Sequence, residues 1–193
     1  MNVYDFDKTI YAGDSTLDFY RYCLRKQPLL LRYLPRQLSG VFLYALRRIG
    51  KEGCKERFFS FLQGLEEPES AVRGFWDKHE RGIRSWYRER QREDDLIISA
   101  SPAFLLKDIC SRLGIRRLLA SDVAITDGRF LGPNCRGEEK LRRFEAAYGG
   151  EEIGEFYSDS LSDEPLARRA RRAYLVGKNG ISEWKGLKKR EVD

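Results

Sequence analysis

Val3-Tyr4-Asp5-Phe6-Asp7-Lys8-Thr9 is the stretch on which the reading of this chain turns. A short apolar run ends in two carboxylates one residue apart, with a threonine two further on. In an extended strand alternate residues face the same way, so Asp5 and Asp7 converge on one side. With only Met1 and Asn2 ahead of it, the strand is expected to open a domain and to carry the acidic pair at its carboxyl end. That end is where an open α/β sheet places its ligand crevice. Two carboxylates held together repel each other, and a hard divalent cation bound through oxygen, such as Mg2+, relieves them. One carboxylate is then free to attack phosphorus while the other moves protons. The competing reading is an acidic turn after an edge strand.

Composition narrows the classes. A chain of 193 residues, 41% hydrophobic and 34% charged, suits a soluble globular protein: one α/β domain with an insertion, or two small ones. No secretory leader is expected ahead of Asp5. Cys23, Cys54, Cys110 and Cys135 lie far apart without a C-x-x-C pair, so they read as reduced, mostly buried thiols of a cytoplasmic protein and not as a zinc site. His79 is the sole histidine and reads as a helix-surface residue, which leaves almost no material for a histidine-based triad or a multi-histidine metal site. The net charge of +6 favours anionic partners: phosphate esters, nucleic acid or acidic lipid. Arg168-Arg169-Ala170-Arg171-Arg172 reads as a solvated helix face.

Outward from the opening strand, Ile10 to Thr16 reads as a turn or small flap, with Asp14 or Ser15 capping a helix that starts near Thr16. From there to about Arg92 no strand pattern emerges. Four helical stretches are expected: one from Leu17, one over Leu38–Ile49, one around Phe58–Leu62, and one over Ala71–Arg92. Pro28 to Ile49 is too interrupted by arginines to span a bilayer. Its leucines and aromatics alternating with arginines suit either a helix packed on its neighbours or one lying on a membrane surface.

Beyond Asp95 the periodicity changes. Leu96-Ile97-Ile98, Arg117–Ala120, Ile153–Tyr157 and Tyr174-Leu175-Val176 read as strands; Ala103–Leu113, Gly137–Tyr148 and Glu164–Ala173 read as helices. Val123–Leu131 reads as a hairpin around Asp127-Gly128. This alternation predicts a mostly parallel α/β sheet covered on both faces. Polar residues then fall just beyond strand ends or at a helix start in four places: Asp5 with Asp7, Ser99, Lys140, and Asp159 with Asp163. Each alone has an ordinary structural reading, as a cap, a surface lysine or a turn. The four together make a set that chance rarely supplies.

On Asp5-Phe6-Asp7-Lys8-Thr9, Ile97-Ile98-Ser99, Lys140 and Asp159-Ser160-Leu161-Ser162-Asp163, the chain resembles the haloacid dehalogenase superfamily of phosphohydrolases over essentially its whole length. The helical insertion is similar to the C1 cap of the phosphoserine phosphatase-like subgroup. The resemblance implies a Rossmann-like core of residues 1–16 and 93–193 and a helical cap of residues 17–92. It implies Asp5 as a nucleophile that forms an aspartyl-phosphate, and Asp7 as general acid and base. Mg2+ would be held by Asp5, the backbone carbonyl of Asp7 and Asp159, with Asp163 orienting a metal-bound water or Lys140. The Ser99 hydroxyl, the Ala100 amide and Lys140 would hold the phosphoryl oxygens, with Thr9 and Ser101 also at the substrate site.

Ser99-Ala100-Ser101 and Ser158-Asp159-Ser160-Leu161-Ser162-Asp163 depart from the Ser-Gly-Gly and Gly-Asp-Gly-x-Asn-Asp patterns of phosphoserine phosphatases. Leu24-Arg25-Lys26-Gln27-Pro28, Cys135–Lys140 and Tyr157–Ser160 look more like bacterial phosphatidylglycerophosphate phosphatases. The leading expectation is a Mg2+-dependent phosphatase of a small phosphorylated metabolite. The alternatives are a lipid-phosphate phosphatase peripheral to the inner membrane surface, and a basic phosphate- or nucleic-acid-binding module without catalysis, motivated by the arginine cluster and Lys188-Lys189-Arg190. Oligomeric state is not encoded in these patterns.

Overall fold

In the computed structural model, which describes residues 1–178 and 180–187, β1 is only Val3–Tyr4, buried throughout. The chain then turns sharply. The Phe6 carbonyl accepts from the amides of Thr9, Ile10 and Tyr11, and Lys8 takes a positive φ of 57° to close the turn. Asp14 caps α1 (Ser15–Lys26), its Oδ1 accepting from the Leu17 amide at 3.0 Å.

Four more helices follow before the next strand: α2 (Leu34–Ala45), α3 (Lys51–Phe59), α4 (Pro68–His79) and α5 (Ser85–Arg90). Helix α2 begins earlier than the apolar pattern suggests, because Pro35 falls in its first turn, where no amide is needed. The single helix expected over Ala71–Arg92 is two helices. Between them the chain straightens to meet the flap after β1: Ile83 bridges Tyr11, the Ala12 amide donates to the Gly82 carbonyl at 2.9 Å, and the Arg84 amide to the Ile10 carbonyl at 2.8 Å.

The core continues with β2 (Leu96–Pro102), α6 (Ala103–Arg112), β3 (Arg117–Ser121), α7 (Glu138–Tyr148), β4 (Ile153–Ser158), α8 (Glu164–Ala167), β5 (Ala170–Gly177) and β6 (Gly180–Glu183). The sheet order is β3-β2-β1-β4-β5-β6. Strands β1 to β5 are parallel and β6 is antiparallel to β5. The fold is therefore the mostly parallel α/β sheet that the alternation predicts, with the Rossmann-like core that the resemblance implies.

Three local expectations are corrected. The helix expected over Glu164–Ala173 stops at Ala167, because the chain pairs with β4 from Ala170 onward. Only Arg171 and Arg172 of the arginine cluster thus lie on a strand, where Arg172 pairs with Glu155 at 2.8 Å, while Arg169, ahead of the strand, pairs with Glu145 at 3.0 Å. Val123–Leu131 makes a single bridge, Val123 to Phe130, not a two-stranded hairpin. Gly128, at φ 78°, lies against Phe59, where a Cβ would come within 2.4 Å of the Phe59 Cβ. Lys188-Lys189-Arg190 lies outside the described residues.

Strand alternation sorts two apolar layers. Tyr4, Ile97 and Tyr157 face a cluster shared with α4, α5 and α6; Val3, Leu96, Ile98 and Phe156 face one shared with α7 and α8. Trp76 fastens α4 to the core. It is fully buried, packs edge-on against Phe6 and Tyr11 at 5.8 and 5.5 Å, and donates Nε1–H to the Leu105 carbonyl at 2.7 Å. The same cluster half-buries His79, which stacks on Phe75 at 4.3 Å, away from the acidic strand ends.

Candidate active site

The carboxyl ends of β1, β2 and β4 meet below the inserted helices in a cleft of about 640 Å³. Asp5 and Asp7 come from the turn that follows β1, Ser99, Ala100 and Ser101 from the end of β2, Lys140 from the first turn of α7, and Asp159 and Asp163 from the loop after β4. Among the predicted site residues only Thr9 is missing. Its side chain is fully buried and lines no part of the cleft, because the turn on the Phe6 carbonyl rotates it inward; its hydroxyl has no partner among the described residues. Thr9 is therefore not placed to touch a ligand in this cleft.

Lys140 is the electrostatic centre. Its ammonium is 2% exposed and donates to Asp5 Oδ1 at 2.8 Å and Asp163 Oδ2 at 2.7 Å. Ser158 Oγ also donates to Asp163 Oδ2, at 2.8 Å. Burial works against the lysine's charge, but Asp5 and Asp163 outweigh it and hold the ammonium above its usual range. Burial pushes Asp5 up to about 7, against the pull of Lys140 and with the repulsion of Asp163. It pushes Asp159 up too, against Lys8, a hydrogen bond with Asp5, and Lys140.

Asp7 is oriented by α1 and β2. Its Oδ1 accepts from the Ser15 amide at 2.6 Å and its Oδ2 from the Ser101 hydroxyl. Burial pushes Asp7 up to about 6 despite those bonds. Ser99 Oγ accepts from the Ser101 amide at 3.1 Å, so this serine braces its own loop while lining the cleft.

Sequence reasoning missed Lys55. From α3 it reaches down to the core, donating to the Ala100 carbonyl at 3.1 Å and to Asn134 Oδ1 at 2.7 Å. Burial lowers its pKa, against Asp14 and Asp7. Nothing in the mixed-charge run Lys51–Arg57 distinguishes it from a solvated helix face. Gln37 was missed as well. It is buried, accepting from the Tyr20 hydroxyl at 2.7 Å and donating to the Phe58 carbonyl at 2.9 Å.

A divalent cation fits this site in a particular way. Both oxygens of Asp7, Oδ2 of Asp163 and Oδ1 of Asp5 accept hydrogen bonds, which leaves the second oxygen of Asp5 and the Asp159 carboxylate on the cleft wall. Among the described residues no three carboxylate, histidine or cysteine side chains form a ready-made cage. Two carboxylates, a backbone carbonyl and ligands from water and substrate are the donor set that suits Mg2+.

Fold and site together define the class: a Rossmann-like α/β enzyme core with an acidic cleft at its central strand ends, roofed by helices inserted after the first strand. The chain belongs to the haloacid dehalogenase-like hydrolase family, whose model matches residues 3–168. A protein of unknown function from Bordetella pertussis Tohama I has a similar structure, with a TM-score of 0.73 at 21% identity over 90% of this chain and 87% of that one. A phosphoserine phosphohydrolase-like protein from Francisella tularensis subsp. tularensis SCHU S4 is similar with a TM-score of 0.55 at 17% identity, covering 90% and 86%. A probable phosphoserine phosphatase from Vibrio cholerae gives 0.56 at 12% identity, covering 89% and 55%. At these identities the likenesses show the fold. No curated protein matches the chain.

Proposed function

We propose that the protein hydrolyses phosphate monoesters through an aspartyl-phosphate on Asp5, with Mg2+ as cofactor and residues 17–92 acting as the cap over the reaction. The observation that carries this reading is the buried Lys140 bridging Asp5 and Asp163 beside an independently oriented Asp7. A binding module has no use for two differently held carboxylates at one strand end.

Asp5 attacks phosphorus through a carboxylate oxygen, and the ester P–O bond breaks as the acyl phosphate forms. Asp7, held near neutrality in its proton balance by burial, gives its proton to the departing alkoxide oxygen. Asp7 then takes a proton from a water that attacks the same phosphorus, which releases inorganic phosphate and regenerates Asp5. Lys140 keeps Asp5 aimed and neutralises charge on the phosphoryl oxygens. Mg2+, held by Asp5, the Asp7 carbonyl and Asp159, would offset the repulsion between carboxylate and phosphate. The cap side of the cleft is lined by Leu34, Leu38, Val41 and Phe58, which favours an ester with an apolar alcohol over an amino-acid or sugar phosphate.

Turnover of an aryl phosphate with Mg2+ tests the reaction. It is expected to stop with chelator and in Asp5→Asn; full activity in Asp5→Asn would overturn the covalent route.

A further inference from the structure

Helix α2 is built inside out. Its buried positions are Gln37 and Gly40, which pack against α3, where a Cβ on Gly40 would meet the Arg57 Cβ at 2.8 Å. Its apolar side chains face solvent: Leu38, Val41 and Phe42 are 58%, 60% and 64% exposed, and Leu29, Leu31 and Leu46 extend the patch at either end. A helix of a soluble domain turns its apolar stripe to the core, and a contiguous exposed patch of this kind marks an interaction surface.

The charge around the patch says what covers it. The 33 residues from Phe19 to Lys51 hold eight of the 36 lysines and arginines and none of the 30 acidic residues, so the other 160 residues carry 28 cations against 30 anions. The whole positive excess of the chain lies on this segment. Arg25, Lys26, Arg32, Arg36, Arg47 and Arg48 are exposed and form no ion pair among the described residues. The arginines of β5, by contrast, are paired with glutamates. A second copy of the chain would bring the same cations against these. Nucleic acid offers the anions, but no counterpart to six exposed aliphatic and aromatic side chains.

We propose that the α2 face, with the turn Pro28–Tyr33 before it, docks on an anionic lipid bilayer, its leucines and Phe42 inserted and its arginines at the headgroups. Leu34, Leu38 and Val41 belong both to this face and to the cleft wall. Docking therefore sets the cleft mouth against the membrane. Resting on the phosphomonoesterase reading above, the substrate is then an amphiphilic monoester whose apolar part stays in the bilayer while its phosphate reaches Asp5.

Flotation with phosphatidylcholine vesicles, with and without phosphatidylglycerol, tests the docking apart from catalysis. The protein is expected to float with the anionic vesicles at low salt and to be released at high salt. Leu29→Ser/Phe42→Ser and Arg47→Glu/Arg48→Glu are each expected to weaken binding by about tenfold or more, while melting temperature and aryl phosphate turnover stay at wild-type values. Failure of the wild type to float, equal binding to neutral vesicles, or undiminished binding of both double variants would overturn the docking. So would a dimer, seen by sedimentation equilibrium, that the same substitutions dissolve. Docking without any phosphatase activity would defeat the hydrolase reading and leave the surface standing; turnover of aryl phosphate without docking would do the reverse.

Discussion

Lys140 Nζ lies 2.8 Å from Asp5 Oδ1, joining residues 135 positions apart in the chain at the base of the cleft. With Asp163 on its other side, the lysine is, among the described residues, the one full positive charge hydrogen-bonded to Asp5 and Asp163. Lys140→Met leaves two buried carboxylates without their cation, a change that costs about 3–5 kcal/mol when a buried pair is broken. The variant is expected to melt well below wild type and to lose turnover by at least about a hundredfold. Thermal unfolding and steady-state kinetics on the same preparation check both; wild-type kcat in a folded Lys140→Met would dismiss the lysine from the chemistry.

Ser101 orients Asp7 through its hydroxyl while the Ser15 amide holds the other oxygen. Ser101→Ala removes one of the two restraints without opening the core. Its kcat is expected to fall about 10- to 100-fold, with the melting temperature within a few degrees of wild type, since a misoriented general acid loses most of its contribution.

Lys55 joins the roof to the floor of the cleft through the Ala100 carbonyl and Asn134. In Lys55→Met the end of β2 loses its tie to α3. KM for phosphate esters is expected to rise about tenfold, with a smaller change in kcat. The split between KM and kcat is the measurement; a pure kcat loss would point to a role in the chemical step.

Asp95 offers a pH test remote from the cleft. It is fully buried at the start of β2, its Oδ2 accepts from the Arg92 amide at 2.8 Å, and Oδ1 has no partner among the described residues. Burial pushes it up to about 6, against that backbone hydrogen bond. A carboxyl whose folded pKa is raised binds its proton more tightly in the folded state. Stability therefore falls as pH rises from the unfolded value near 4 through about 6, and the full cost is present above that window. Asp95→Asn keeps the acceptor and removes the charge. It is expected to gain about 1–2 kcal/mol at pH 7.5 and nothing at pH 4. Urea titrations at the two pH values, on wild type and variant with Mg2+ present, decide it; equal gain at both would refute the charge as the cause.

The residues that could be read from the sequence were those whose role is fixed by local geometry. Asp5 and Asp7 follow from an acidic pair at the end of an apolar run, although β1 ends at Tyr4 and a turn, not strand alternation, brings them together; the cap of α1 follows as Asp14 or Ser15, and Lys140 from its place at the start of α7. Ser99 and Asp159 followed from the apolar runs that precede them, although β2 extends through Ser99 to Pro102. What escaped depends on partners far along the chain. Arg168 to Arg172 has a helical composition but extends at Ala170 because β4 supplies an edge and glutamates to pair with. Ala71 to Arg92 keeps a helical period through Gly82, yet Tyr11 draws Ile83 out of it. Thr9 shares a motif with Asp5 and Asp7 but is turned away by three amides on one carbonyl. Lys55 is recognisable only once α3 is folded over β2.

The pairing of Ile10–Ala12 with Gly82–Arg84 has a consequence for how the molecule can be remodelled. Both crossings between sheet and roof run side by side through one seam, so α2 and α3 hang beyond it as an insert, while α1 and α4 stay tied to the core by the Ser15 amide on Asp7 and by Trp76. Exchanging that insert for a shorter or longer one leaves the spacing of β1 and β2 untouched, because their own pairing, Val3 with Leu96 and Tyr4 with Ile97, sets it. Selection for a new alcohol group can thus act on the graft while the phosphate-handling stock beneath stays as it is.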